Sequence, residues 1–139
     1  ILAAIGIEQL KKLPGILADR IRRAGLYTDL LKEIEGVVPP FVSPGTRHVF
    51  QSYCIYLEED GIRDRLKQDL GEKGIETQIG TYALHQEPSY ADVRRSGDLQ
   101  NSVSVFKNLL TLPLHHELTD EDQGFVVKSI SSLLKGYKE

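Results

Sequence analysis

The chain has 139 residues, 40% of them hydrophobic and 27% charged, which are the proportions of one ordinary globular domain and not of a disordered or fibrous chain. A net charge of −3 supplies no basic footprint for nucleic acid, and no apolar run approaches the roughly 20 residues that span a bilayer. One cysteine, Cys54, excludes an internal disulfide framework and fits a reducing, cytoplasmic compartment.

In chain order, Ile1-Leu2-Ala3-Ala4-Ile5-Gly6-Ile7 opens on an apolar run with no methionine and no basic region before it. That is not a signal peptide. It reads as the inside of an amphipathic helix over residues 1–13, with Leu2, Ile5, Gln9 and Leu13 on one side, and the expectation is a fragment of a longer protein. Pro14 removes a backbone donor and is predicted to interrupt or restart the helix. From there to about residue 34, Ile16, Leu17, Ile21, Ala24, Leu30, Leu31 and Ile34 recur at helical spacing, with Gly36 as the cap. Pro39, Pro40 and Pro44 make residues 37–45 an extended connector.

Residues 48–57 are the clearest strand, rich in Val49, Phe50, Tyr53, Ile55 and Tyr56. They are apolar on both sides, which predicts a central strand with Cys54 as a buried small hydrophobe. Asp60 is predicted to cap a helix on which Ile62, Leu66 and Leu70 recur, ended by Gly74. Residues 75–81 read as a shorter strand, and residues 82–96 as a loop with a short helix around Tyr90. Asp98 is predicted to cap a helix over residues 102–110. A short apolar run then ends at Pro113. After a turn, Thr119 caps a final helix, with Asp122 in the capping-box position and Asp120 and Glu121 beside it at the positive end of the helix dipole. Val126, Ile130, Leu133, Leu134 and Tyr137 form its apolar face. Strands separated by helices predict a small layered α/β (α+β) domain, with long N-terminal helices and a few-stranded sheet covered by helices.

The chain has no Gly-rich phosphate loop, no metal-spaced Cys/His cluster and no nucleophile elbow. His115 and His116 are adjacent in a turn, with diverging side chains, and read as turn residues and not as metal ligands. His48 starts a strand and reads as an edge residue. His85 ends the stretch Gly80-Thr81-Tyr82-Ala83-Leu84-His85 just after a strand, where loops commonly build sites. There Gly80 would let backbone approach a ligand, and Tyr82 adds a donor and a flat apolar face. On residues alone, a relaxed surface loop and a site are equal readings. Arg94 and Arg95 beside Asp92 read as solvated, with phosphate binding as the alternative. Cys54, near Gln51 and Ser52, has no evident base partner for nucleophilic work.

The stretch Leu112-Pro113-Leu114-His115-His116-Glu117-Leu118-Thr119-Asp120-Glu121-Asp122 resembles the C-terminal signature of the DegT/StrS family of pyridoxal-phosphate-dependent sugar aminotransferases, in which Leu-Pro-Leu-His-Pro-Glu-Leu precedes a Thr-capped acidic helix start. Other segments match in order. Ala3-Ala4-Ile5-Gly6 with Gln9-Leu10 resembles the helix after the family's large domain. His48, Gln51, Ser52 and Tyr53 resemble its first small-domain strand. Gly74-Ile75-Glu76-Thr77, then Tyr82, Leu84-His85, Pro88 and Tyr90, resemble the segment ending in Leu-His before Pro-x-Tyr. Gly97-Asp98 and Asn101 resemble the start of its next helix. Two departures stand out: His116 occupies the usual proline position, and Gly80-Thr81 stands where many members have His-Tyr.

The resemblance implies a helical segment over residues 1–36 that links from a large N-terminal pyridoxal-phosphate domain, and a C-terminal small domain over residues 37–139. It implies that the Schiff-base lysine, the pyridine-nitrogen aspartate and the main phosphate contacts lie before this chain, so that no catalytic residue lies within it and the piece alone is inactive. It implies transfer of an amino group, commonly from glutamate, to a keto-sugar nucleotide in sugar or polysaccharide biosynthesis, by a homodimer. The resemblance also places His85 and Tyr82 near the substrate. Within the family the alternative is a sugar dehydratase, with histidine in place of the cofactor lysine; outside it, a non-catalytic regulatory or interaction domain.

Overall fold

A computed structural model describes residues 2–138; Ile1 of the opening apolar run lies outside them. Helix α1 (Leu2–Leu31) leads to strand β1 (Val37–Val38), strand β2 (Tyr53–Leu57), helix α2 (Ile62–Glu72) and strand β3 (Gln78–Ile79). Two 3-10 turns (Leu84–Gln86 and Pro88–Tyr90), helix α3 (Gln100–Asn108), strand β4 (Leu109–Leu112) and helix α4 (Asp120–Tyr137) complete the described chain. The four strands form one antiparallel sheet in the order β1-β2-β4-β3. The fold is the mixed α/β class that the alternation of elements predicts. No described helix is long and apolar enough to cross a membrane.

The pleat sorts the sheet's side chains. Tyr53, Ile55 and Leu57 of β2, with Leu110 and Leu112 of β4, are buried on one face. There they join Ala24, Tyr27 and Leu31 of α1, Leu66 and Leu70 of α2, and Val126, Val127, Ile130 and Leu134 of α4. Cys54, Tyr56, Leu109 and Thr111 fall on the other face and are half-buried. Helix α3 lies against part of that face, where Tyr56 Oη and Ser104 Oγ are 2.8 Å apart. Central placement of β2 holds, between β1 and β4. Burial of Cys54 does not, because its face of the sheet is only partly covered.

Helix ends follow local chemistry. Thr119 Oγ1 accepts from the Asp122 N–H, and the Asp122 carboxylate accepts from the Thr119 N–H, so the capping box is complete. Past α2, Gly74 sits at φ +77; its N–H reaches Gly71 O and the Ile75 N–H reaches Leu70 O. This is the paired-bond ending that a left-handed glycine permits. The predicted Asp98 cap is replaced by Leu99, which holds the boundary of α3 at φ +56 without a side-chain cap. The Asp98 carboxylate accepts from the Gln100 N–H at 3.2 Å just before it, and α3 covers 100–108 and not 102–110, because Leu109 and Leu110 pair in β4.

Other expectations about the elements need correction, among them the strand over residues 75–81, which is confined to Gln78–Ile79. Helix α1 runs unbroken through Pro14. Pro14 and Leu10 are both exposed, so water can serve the carbonyl that Pro14 cannot, and intact ladders on both sides carry the helix across. Val37–Val38 is an edge strand, not wholly connector. Residues 48–52 are not strand: Phe50 turns the chain at φ +48, its N–H bonds His48 Nδ1 at 3.0 Å, and Arg20 of α1 donates to the carbonyls of Phe50 and Gln51. With those carbonyls held by a helix side chain, no neighbouring strand pairs with the segment. Finally, Gly61 at φ +86 takes the boundary before α2 without a side-chain cap, while Asp60 Oδ1 accepts from Asn108 Nδ2 at 2.6 Å.

Candidate functional site

The candidate loop begins where β3 ends. The Gly80 N–H donates to Leu109 O at 3.1 Å, and a Cβ built on Gly80 would stand 2.5 Å from the Leu109 Cβ. The glycine therefore serves contact with the next strand, and the expected approach of its backbone to a ligand is replaced by that contact. Ala83 is fully buried and pins the chain as it leaves the sheet. The Gln86 N–H then returns to Ala83 O, closing the turn that carries His85.

Tyr82 is 59% exposed and stacks on Phe106 of α3, with ring centroids 6.0 Å apart and planes at 27°. His85 is half-buried, and its carbonyl accepts a 2.7 Å hydrogen bond from Arg95 Nη2. That bond ties the far end of the loop to its start, and gives Arg95 a role that neither solvation nor phosphate binding anticipates. Leu84, Tyr90 and Val93 also leave large apolar surface exposed. The loop thus presents a mixed surface of one imidazole, two phenols and several apolar groups, open to solvent on this chain.

The other candidates lie elsewhere. His115 and His116 follow the opposite end of β4; the carbonyl of His116 accepts from Arg23 Nη2 at 2.8 Å, and its side chain is exposed. Cys54 Sγ stands 3.2 Å from Thr111 Oγ1 across the strand pair, a hydroxyl and not a base. Phe106, which Tyr82 rests on, was not singled out in the sequence. Neither was Arg63, whose guanidinium carbon stands 5.8 Å from the Phe106 ring centroid. The helical phase of Phe106 marks it as inward-facing; the same signal was available for Arg63, which lies three and seven residues before the buried Leu66 and Leu70 of α2.

A cavity of about 610 Å³ lies between the end of β4, the start of α4 and the chain before β3. Its lining includes Ile75, Leu112, Leu118 and Phe125, with Glu76 and Asp122 as its charged groups and neither lysine nor arginine. Bonds from the Thr119 hydroxyl and N–H hold the Asp122 carboxyl below its ordinary value, so it stays ionised and disfavours an anion there. Neither Tyr82 nor His85 lines this cavity. Eight of the nine lysines are exposed and Lys67 is half-buried; none lies in the 80–95 loop or lines the cavity. Arg94 and Arg95 of the loop are exposed cations, Arg95 tied to the His85 carbonyl, but with no lysine in the loop or the cavity these residues do not fit pyridoxal phosphate, which requires an amine to attach to.

A sequence profile of the DegT/DnrJ/EryC1/StrS aminotransferase family matches residues 1–131. The spore coat polysaccharide biosynthesis protein SpsC of Bacillus subtilis is 29% identical over 140 residues, covering 96% of this chain and 36% of that protein. GDP-perosamine synthase of Caulobacter vibrioides is 34% identical over 135 residues, covering 95% of this chain and 36% of that protein. The crystal structure of the aminotransferase TlmJ from Streptoalloteichus hindustanus matches with a TM-score of 0.87 at 25% identity, covering 99% of this chain and 37% of that one. The chain spans about a third of the length of the curated relatives it matches.

Proposed function

The chain belongs to the DegT/DnrJ/EryC1/StrS aminotransferase family, and from that premise we propose that it is the C-terminal small domain of a pyridoxal-phosphate-dependent sugar aminotransferase. The whole enzyme would move an amino group, from glutamate, onto a keto-sugar nucleotide. The observation that carries this reading is the family match along residues 1–131 by a chain about one third as long as its relatives. GDP-perosamine synthase, among those relatives, supports a sugar-nucleotide substrate.

Within this reading the cofactor is held by a large domain outside this chain, because the residues here do not fit it. The segment 1–36 links the two domains, and the enzyme works as a homodimer. The chain's own contribution is a wall of the substrate site. The Tyr82 ring offers a flat apolar face to a sugar or base, and its Oη can exchange a hydrogen bond with a substrate hydroxyl. The His85 imidazole can donate or accept at a substrate oxygen. Holding the substrate at these points lowers the entropy lost on reaching the reactive geometry.

The test uses the full-length gene product, nitrogen-15-labelled glutamate and a series of nucleoside-diphosphate keto-sugars, read by product mass. The expected product carries the labelled nitrogen in place of the keto oxygen. Tyr82→Phe and His85→Ala should each raise KM about tenfold and change kcat less. A product that has lost water without gaining nitrogen would assign dehydration instead, and absence of any sugar product would reject the reading.

A further inference from the structure

We infer that Arg63 and Phe106 are positioning residues for Tyr82, forming a support that sets the orientation of the exposed ring toward the substrate. The inference rests on the reading of Tyr82 given above and adds the residues through which its position is set.

Arg63 stands in the first turn of α2 and is only 6% exposed. A buried guanidinium is costly unless its donors are matched. Here Nη1 donates to Phe106 O at 2.9 Å and points toward Leu109 O at 3.5 Å. Nε lies 2.6 Å from Asp64 Oδ1 as an ion pair, without the alignment of a hydrogen bond. The carbonyls it meets belong to the last turn of α3 and the residue after it, where intrahelical donors run out and a cation suits the negative helix end.

The same contacts reach the candidate loop by two routes. Leu109 O also accepts from the Gly80 N–H, so Arg63 and the stem of the loop converge on one carbonyl. The guanidinium sits near the Phe106 ring, and that ring stacks on Tyr82. Phe106 is the aromatic partner of Tyr82 among the described residues. Helix α2, the α3–β4 junction and the loop after β3 are therefore joined through one buried side chain and one half-buried ring. A role confined to stability would not require the aromatic contact to continue outward to an exposed tyrosine.

The decisive variants are at half-buried Phe106, because removing a buried arginine can unfold the domain. Tyrosine ring resonances are followed by NMR on this chain, with Tyr82→Phe to assign the signal. Phe106→Leu is expected to alter the Tyr82 ring signal, read as its NOEs to residues other than Phe106 so that loss of the Phe106 ring current does not count, while the signals of buried Tyr27 and Tyr53 stay in place. Phe106→Tyr, which keeps the ring, should restore it, and Arg63→Lys should move it part of the way. In the full-length gene product, Phe106→Leu should raise KM for the keto-sugar nucleotide about tenfold and leave kcat within about twofold. A Tyr82 signal unmoved by Phe106→Leu overturns the positioning role. A signal that moves while KM does not would overturn the substrate-wall reading of Tyr82, and with it the role of the support in substrate binding.

Discussion

At Gly80 an added methyl group would stand 2.5 Å from the Leu109 Cβ, at the first residue of strand β4. Gly80→Ala is therefore expected to destabilise the domain by about 1–3 kcal/mol, the usual range for forcing atoms into a packed contact, read as a lowered midpoint of chemical unfolding. An unchanged midpoint would mean that the strand yields freely. A close backbone approach at Gly80 was read from the sequence as one to a ligand; that it is made to Leu109 was not legible, because Leu109 is distant in sequence. At Thr119 the local pattern was enough, since every partner lies within three residues. Its loss in Thr119→Ala is expected to cost about 1 kcal/mol. Asp122 adds a pH dependence. Its carboxyl is held below the ordinary 3.8, first by the Thr119 hydroxyl and then by the Thr119 N–H. A depressed carboxyl contributes stability that is full above its unfolded value and fades as pH falls through the folded one. The gap between wild type and Thr119→Ala should therefore be constant at neutral pH and narrow below 3.8. A gap that widened in acid would contradict the capping geometry.

At the scale of elements, α1 carries one apolar stripe in two environments. Ala24, Tyr27 and Leu31 are fully buried, whereas Leu2, Ile5, Leu13 and Ile16 on the continuing stripe are 85%, 53%, 40% and 44% exposed. An uncovered row of this size on a helix favours association. The chain alone is expected to self-associate in sedimentation experiments as its concentration rises, and Ile5→Asp combined with Leu13→Asp should return it to monomer without loss of helix. A wild-type chain that stays monomeric at high concentration would contradict this. The helical period of α1 was legible, but its passage through Pro14 was not, since a proline's local cost says nothing about the ladders on either side. Residues 48–52 show the converse. Their composition suits a strand, yet strand formation also needs a partner with free donors and acceptors, and Arg20 occupies the carbonyls of Phe50 and Gln51.

For the whole molecule, alternation of helices and strands was enough to predict a layered α/β domain. The order β1-β2-β4-β3 and its antiparallel pairing were not readable, because they depend on contacts between segments far apart in sequence. The candidate site divides in the same way. Tyr82 and His85 became candidates from their position after a strand and from the family resemblance, whereas Phe106 and Arg63 enter only when α2 and α3 are brought beside that loop. The cavity with two carboxylates and neither lysine nor arginine, and the exposed setting of most lysines, support the proposal that this chain forms a wall of the substrate site and not a cofactor cradle. That claim is tested most directly by titrating this chain with pyridoxal phosphate, reducing with borohydride and reading the intact mass and the labelled position. The account predicts sparse labelling spread over surface lysines, without saturation. Saturable one-to-one attachment at a single lysine would contradict it.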